Sequence, residues 1–218
     1  LDFADLVYIY GVAPTQLDLA DTKIAVTFTD RSGSLGTFNG STSGTKITAT
    51  AEAQYFFIGG ANSGDGTITI TNNRAYPIVL EFHYEITGDG TGTASGAFSG
   101  GVGTSGDYSA TVAAGGKVEI LFGAGEKTRD DTVTVTLTNV VAKGAVTFAA
   151  GENGTYTVNG ETAPVTKTDA CGTEYTLSAT PAAGGYQLTG WYIGETLLST
   201  ANPYTYTNEG SVTITPKF

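Results

Sequence analysis

Three ionisable side chains at alternate positions form the most enzyme-like group in this chain. They are Glu81, His83 and Glu85 in the stretch PIVLEFHYEITG, and a β-strand would place them on one face. At roughly 3.3 Å per residue the two carboxylates would lie about 13 Å apart. Glycosidases use carboxylate pairs separated by about 5–9.5 Å. The spacing therefore argues against glycosidase chemistry and favours a solvated outer face of a sheet.

Other catalytic and metal chemistries find little support in the sequence. His83 is the only histidine, and no candidate serine lies in a G-x-S-x-G elbow. Cys171 is the only cysteine, which excludes an intrachain disulfide and argues against a cysteine metal cluster. Acidic turns such as NSGDG and GDG lack the alternating ligands and terminal Glu of an EF-hand loop. We therefore predict a non-enzymatic protein without a cofactor or a metal site.

The charge of the chain limits its partners. The formal net charge is -11, so phosphate backbones and anionic membranes would repel this protein. No apolar run approaches the roughly 18 residues that a membrane-spanning helix needs. We expect no nucleic-acid binding and no membrane insertion. The partners should be neutral or cationic molecules, or other copies of the chain.

The composition predicts a location outside the cell. The 218 residues contain no methionine, even at position 1, and only one cysteine. This predicts a mature chain from which a secretory signal has been removed. Few cysteines together with abundant threonine, glycine and tyrosine are typical of bacterial surface proteins. We therefore expect a secreted protein of the bacterial cell surface or of an extracellular appendage.

Most of the chain alternates apolar and polar residues with a period of two, the pattern of half-buried β-strands. The predicted inward residues of the five clearest runs are Ile24, Val26 and Phe28; Ile68 and Ile70; Ile78, Leu80, Phe82, Tyr84 and Ile86; Val118, Ile120 and Phe122; and Val133, Val135 and Leu137. Each run ends in turn-forming residues. We predict an all-β fold in which residues 1–143 form an antiparallel β-sandwich. The glycine-rich stretch from Gly88 to Gly116 should contain short strands.

A second domain is predicted for residues 144–218, with Lys143-Gly144 as a hinge. It contains GENGTYTVNG, GTEYTLSATPAAGGYQLTGWY and NPYTYT, followed by an alternating strand that ends at Phe218. In these features the last third of the chain resembles the bacterial extracellular repeats named after the B-repeats of internalin. The resemblance implies a small all-β module of β-grasp type, found in surface and secreted proteins of Gram-positive bacteria.

The resemblance also implies a role for Trp191, the only tryptophan. In the family the Gly-Trp pair lies on a central strand and the indole fills the core of the module. Tyr186, Leu188 and Phe218 are predicted to belong to the same core. The alternative for a lone tryptophan is a platform on which a sugar stacks.

The N-terminal stretch LDFADLVYIYGVAP is apolar on both faces of a predicted strand. Leu6, Tyr8 and Tyr10 share one face, and Val7 and Ile9 share the other. Such a strand must be covered on two sides. It is either the first strand of its own sandwich or a strand donated to the next subunit.

Together these features predict a structural or adhesive role. The preferred hypothesis is a self-associating subunit of an extracellular fibre or array, with the N-terminal strand as the polymerisation element. The alternative is a monomeric module that binds glycans or proteins of a host or of the cell wall. Tyr55, Tyr76 and Tyr108 are the candidate contact residues for this alternative, because tyrosine both stacks on sugars and hydrogen-bonds to them.

Overall fold

The computed structural model describes residues 21–32, 36–56, 60–62, 64–124 and 131–218. These residues form β-strands and no helix, which confirms the predicted all-β fold class. Accordingly, this part of the chain holds no helix of the length and apolarity that a bilayer crossing requires.

The chain divides into two compact units. The N-terminal unit comprises the described residues up to Asn73 together with Leu80–Val141, and the C-terminal unit comprises Arg74–Val79 and Ala142–Phe218. The boundary expected after residue 143 lies close to this division. The segment Arg74–Val79 was expected in the first domain, and its assignment to the second unit corrects that prediction.

The N-terminal unit is built from two antiparallel sheets. Its strands are β1 (Ile24–Asp30), β2 (Thr37–Ser43), β3 (Lys46–Phe56), β4 (Gly60–Asn62), β5 (Asp65–Asn72), β6 (Ile78–Gly88) from Leu80 onward, β7 (Thr93–Gly96), β8 (Gly100–Gly101), β9 (Ser105–Val112), β10 (Lys117–Gly123) and the first part of β11 (Asp131–Phe148). One sheet has the order β1-β5-β10-β7-β8. In the other, β3 pairs with β2, β4 and β11, while β6 pairs with β11 and β9. The strands β7 to β9 confirm that the glycine-rich stretch is folded.

The interior of the N-terminal unit follows the predicted alternation. All the inward residues of the five runs are buried except Tyr84, which is half-buried. Two phenylalanine rings also fill the space above glycines, since a Cβ on Gly66 would stand 2.0 Å from an atom of the Phe38 ring. The other pair is Phe28 and Gly40, between β1 and β2. Such ring-on-glycine contacts let two sheets approach closely without a void.

Strand β11 changes its inward face at Asn139. Val133, Val135 and Leu137 are buried before this residue, whereas Val140 and Ala142 are buried after it. Asn139 has a φ of 54°, the left-handed conformation that asparagine tolerates better than most residues and that occurs at β-bulges.

The predicted hinge at Lys143-Gly144 is wrong. Both residues lie inside β11, where Lys143 pairs with Ala170 and Gly144 with Asp169. Glycine and lysine are hinge-like by composition, but the ladder of hydrogen bonds with the neighbouring strand fixes their backbone.

The C-terminal unit also contains two sheets. Its strands are the end of β11, β12 (Gly154–Val158), β13 (Glu161–Thr162), β14 (Val165–Ala170), β15 (Glu174–Pro181), β16 (Gly190–Ile193), β17 (Thr196–Ser199), β18 (Tyr204–Thr207) and β19 (Val212–Lys217). In the first sheet β11 lies between β14 and β19, and β16 and β17 follow β19. The pair β11 and β19 is parallel. The second sheet has the order β13-β12-β15-β18.

Trp191 lies at the centre of this unit. It is fully buried in a cluster with residues of both sheets, among them Phe148 and Leu177. Its indole Nε1 donates a hydrogen bond to the Ala201 carbonyl at 2.9 Å. The ring meets Tyr156 edge-on, with 5.2 Å between the centroids. This environment leaves no indole face open for a sugar.

Of the other three residues expected in this core, Tyr186 is placed differently. Its side chain is 45% exposed, and it follows Gly184 and Gly185, which both have positive φ in a turn between β15 and β16. The alternation of a strand does not hold across such a turn, so the prediction for Tyr186 is wrong. Leu188 packs against the cluster while partly buried. Phe218 is also partly buried and covers Gly154, whose Cβ would stand 2.5 Å from its ring.

Candidate self-association site

The predicted subunit-contact strand, Leu6, Val7, Tyr8, Ile9 and Tyr10, lies outside the described residues. The structure does describe the sheet edges with which an added strand would pair. An edge strand presents a row of main-chain N–H and C=O groups to any incoming strand. An added strand would therefore bind at one of these edges.

Strand β1 forms one edge of the first sheet. Among the described residues it pairs only with β5, in a continuous register from Ile24 opposite Asn72 to Asp30 opposite Gly66. No bulge interrupts these seven pairs. The inward side chains of Ile24, Val26 and Phe28 are buried, whereas those of Ala25, Thr27 and Thr29 are half-buried on the outer face.

The sequence of β1 lacks the features that usually protect an edge. Natural edge strands carry lysine, proline, inward charges or bulges, which prevent pairing with other chains. From Ile24 to Thr29 the strand contains none of these residues, and its first charge is Asp30 at the end. A long, regular and uncharged edge is a template for strand addition.

Most other edges in the described part of the chain are shorter, charged or irregular; β2 is the exception, since it also has seven uncharged residues in a continuous register opposite β3. Strands β8 and β13 have two residues each, and β17 has a register shift opposite β16. Asp107 lies on β9, Lys167 on β14, and Gly40 weakens the middle of β2. Strand β18 has only four residues. By these criteria β1 is the edge most suited to accept a strand.

The triplet Glu81, His83 and Glu85 lies on the outer face of β6, as predicted. His83 also contacts an acidic side chain of another strand. His83 Nδ1 lies 2.7 Å from Asp107 Oδ1 on β9. The two side chains are 46% and 89% exposed. Water screens such a pair strongly, so its contribution to stability is small. Asp107 could not be identified from the sequence, since it follows His83 by 24 residues and meets it only through strand pairing.

In the acidic turn around Asp89, the Asp89 carboxylate accepts a hydrogen bond from the main chain. Asp89 Oδ1 accepts a hydrogen bond from Thr132 N at 2.9 Å, and Asp131 Oδ2 accepts one from Thr91 N at 3.3 Å. These bonds connect the turn after β6 to the start of β11. Among the described residues, no three His, Cys, Asp or Glu side chains come together in a group able to hold a metal ion.

Of the tyrosines proposed as glycan contacts, Tyr108 and Tyr76 pack against other side chains of the protein. Tyr108 stacks on Phe82 with 4.6 Å between ring centroids and 14° between planes, and burial raises its pKa. Tyr76 packs against the core of the C-terminal unit. The side chain of Tyr55 lies outside the described part.

Comparison with known proteins identifies no relatives. No protein-family model matches the chain, and neither a curated protein nor a solved structure shows significant similarity to it. The resemblance of the last third to internalin B-repeats therefore remains a prediction based on the residues quoted above.

Proposed function

We propose that this protein is a non-enzymatic structural subunit that self-associates into a fibre or array at the bacterial cell surface. The observation that carries the proposal is the edge of β1, which is seven residues long, regular in register and uncharged through Thr29. Soluble monomers normally protect such an edge. A chain that pairs with other chains needs an edge strand that is accessible to them.

The N-terminal segment Leu6–Tyr10 is the proposed polymerisation element, and other copies of the chain are the proposed partners. A contact between this segment and a different surface of the next copy would be heterologous. Heterologous contacts that do not close into a ring generate open filaments. The composition and the internalin-B-repeat-like residues of the C-terminal unit support the extracellular location.

The test compares the intact chain with a chain that lacks residues 1–12. Light scattering gives the particle mass of each, and negative-stain microscopy shows whether filaments form. Polymers from the intact chain and folded monomers from the shortened chain are expected. Trp191 fluorescence reports whether the C-terminal unit remains folded, and circular dichroism reports the β-structure of the whole chain.

A different result would refute self-association. An intact chain that stays monomeric over the full accessible concentration range, with a shortened chain that unfolds, would place the N-terminal strand in the core of its own sandwich. The glycan- or protein-binding hypothesis would then be the next to test.

A further inference from the structure

We infer that the C-terminal unit is a force-bearing element, in which the parallel pair β11 and β19 resists extension of the chain. The inference rests on the proposed function, because a subunit of a surface fibre carries tension, and it adds which part of the subunit bears that tension. The chain passes from the N-terminal unit along β11 and reaches Phe218 directly after β19. Tension along this path therefore pulls on two strands that are neighbours in one sheet.

The parallel pairing of these strands sets the direction in which their hydrogen bonds are loaded. Val146 lies opposite Val212, and Phe148 lies opposite Ile214, so both strands run the same way. A pull on the start of β11 and on the end of β19 acts in opposite directions along the strands. The hydrogen bonds of the pair then share the load and must break together. If both strands were pulled from the same end, the bonds would break one after another, at a lower force.

The connection between the two strands extends from Ala145 to Ala149. At its start Ala145 N donates to Ser211 Oγ at 3.0 Å, and at its end Ala149 N donates to the Ile214 carbonyl at 2.9 Å. Each strand also has a partner on its other side, since β11 pairs with β14 and β19 pairs with β16. Extracting either strand therefore breaks hydrogen bonds along both of its sides.

Side chains of the same strands lie in the core of the unit. Phe148 and Ile214 are fully buried, and Val146 and Val212 belong to the same cluster as Trp191. Sliding one strand past the other by a single residue would turn these side chains toward the opposite face, because side chains alternate along a strand. The apolar contacts therefore resist the same motion as the hydrogen bonds.

The segment Arg74–Val79, the other part of the chain in this unit, is fastened beside the start of β19. Ser211 N donates to the Pro77 carbonyl at 2.7 Å, and Arg74 Nη1 lies 2.6 Å from Glu209 Oε2. The Arg74 side chain is 6% exposed, so salt screens this ion pair less than a pair at the surface. Both segments that enter the unit are therefore joined to β19 or to the residues directly before it.

Single-molecule force spectroscopy on the full chain tests the inference by changing only the points of attachment. Every chain carries Cys171→Ser and a cysteine added after Phe218, to which one handle is coupled. The shear chain also carries Thr138→Cys, ahead of the part of β11 that pairs with β19. The zipper chain instead carries Ala150→Cys, an exposed position just after β11. Trp191 fluorescence establishes that the C-terminal unit of each chain is folded before it is pulled.

At the same pulling rate, we expect the C-terminal unit of the shear chain to unfold at a force several-fold higher than that of the zipper chain, because forced unfolding is governed by the unfolding barrier. The length of chain released identifies the unit that has opened. Ser211→Ala removes the acceptor of Ala145 N and should lower the force of the shear chain only. Thr213→Ala, at an exposed position of β19, is the control and should change neither force.

Equal forces for the two chains, or a higher force for the zipper chain, would overturn the inference. The pulling experiment uses single tethered chains, so its result does not depend on polymerisation. A protein that stays monomeric in light scattering would refute the proposed fibre, while the forces would still decide the mechanical role of β11 and β19. Polymers whose subunits unfold at equal forces in both directions would retain the proposed function and lose only the force-bearing role.

Discussion

The ring of Phe28 occupies the space where a side chain on Gly40 would begin. A Cβ built on Gly40 would stand 2.1 Å from Cδ1 of Phe28. This contact joins β1 to β2 across the interior of the N-terminal unit. The position of β1 thus depends on a residue that has no side chain.

Gly40→Ala should destabilise the N-terminal unit by about 1–3 kcal/mol, because the added methyl group must displace the Phe28 ring in a packed interior. Gly101→Ala is the matched control, since its Cβ would meet only the Gly92 carbonyl oxygen at 3.7 Å. Denaturant unfolding followed by circular dichroism measures both. Equal stabilities of the two variants would contradict close packing of the Phe28 ring on Gly40.

Trp191→Ala should destabilise the C-terminal unit by about 3–5 kcal/mol, the usual effect of deleting a large buried aromatic side chain. Tyr186→Ala is the control, because its side chain is 45% exposed and such substitutions usually change stability by about 0.5 kcal/mol or less. Calorimetry gives the melting temperatures, and hydrogen exchange locates the loss of protection in Ala142–Phe218. A near-native melting profile for Trp191→Ala would refute its central role in the core.

The C-terminal unit should lose stability in strong alkali. Burial raises the pKa of Tyr206 to about 12, and it also raises the pKa values of Tyr156 and Tyr175. The unfolded chain releases these protons near pH 10. The folded state binds them more tightly, so its stability is full below about pH 10 and falls as the pH rises toward 12.

Denaturant titrations followed by Trp191 fluorescence at increasing pH measure this loss. Tyr206→Phe removes one of the three titrating hydroxyls and should make the decline with pH shallower. A C-terminal unit whose stability is unchanged from pH 9 to about pH 12 would show that these hydroxyls do not titrate with shifted pKa values.

Self-association should strengthen with salt. Each copy carries a formal net charge of -11, so copies repel one another at low ionic strength. Raising the salt from about 0.01 M to about 1 M shortens the Debye length from about 30 Å to about 3 Å. The particle mass measured by light scattering should rise over this range. A mass that falls with salt would indicate that attraction between charges, rather than strand addition, holds the copies together.

Local pattern was sufficient to predict much of the fold. The alternation in TKIAVTFTD, TITITN and DDTVTVTLTNV correctly identified strands and their buried faces, because side chains of a strand alternate regardless of its neighbours. It failed at Tyr186, where two glycines with positive φ interrupt the strand. It also failed at Lys143-Gly144, where pairing with β14 fixes a dipeptide that resembles a hinge.

By itself, the sequence determined the all-β class, the acidic charge that argues against nucleic-acid and membrane partners, and the inward residues of the main strands. Only the tertiary structure decided that β1 pairs with β5 and is the last described strand of its sheet, that Asp107 meets His83, and that Arg74–Val79 belongs to the second unit. The physical reason is that alternation depends on neighbouring residues along the chain. Strand order depends on which distant segments bury each other's apolar faces.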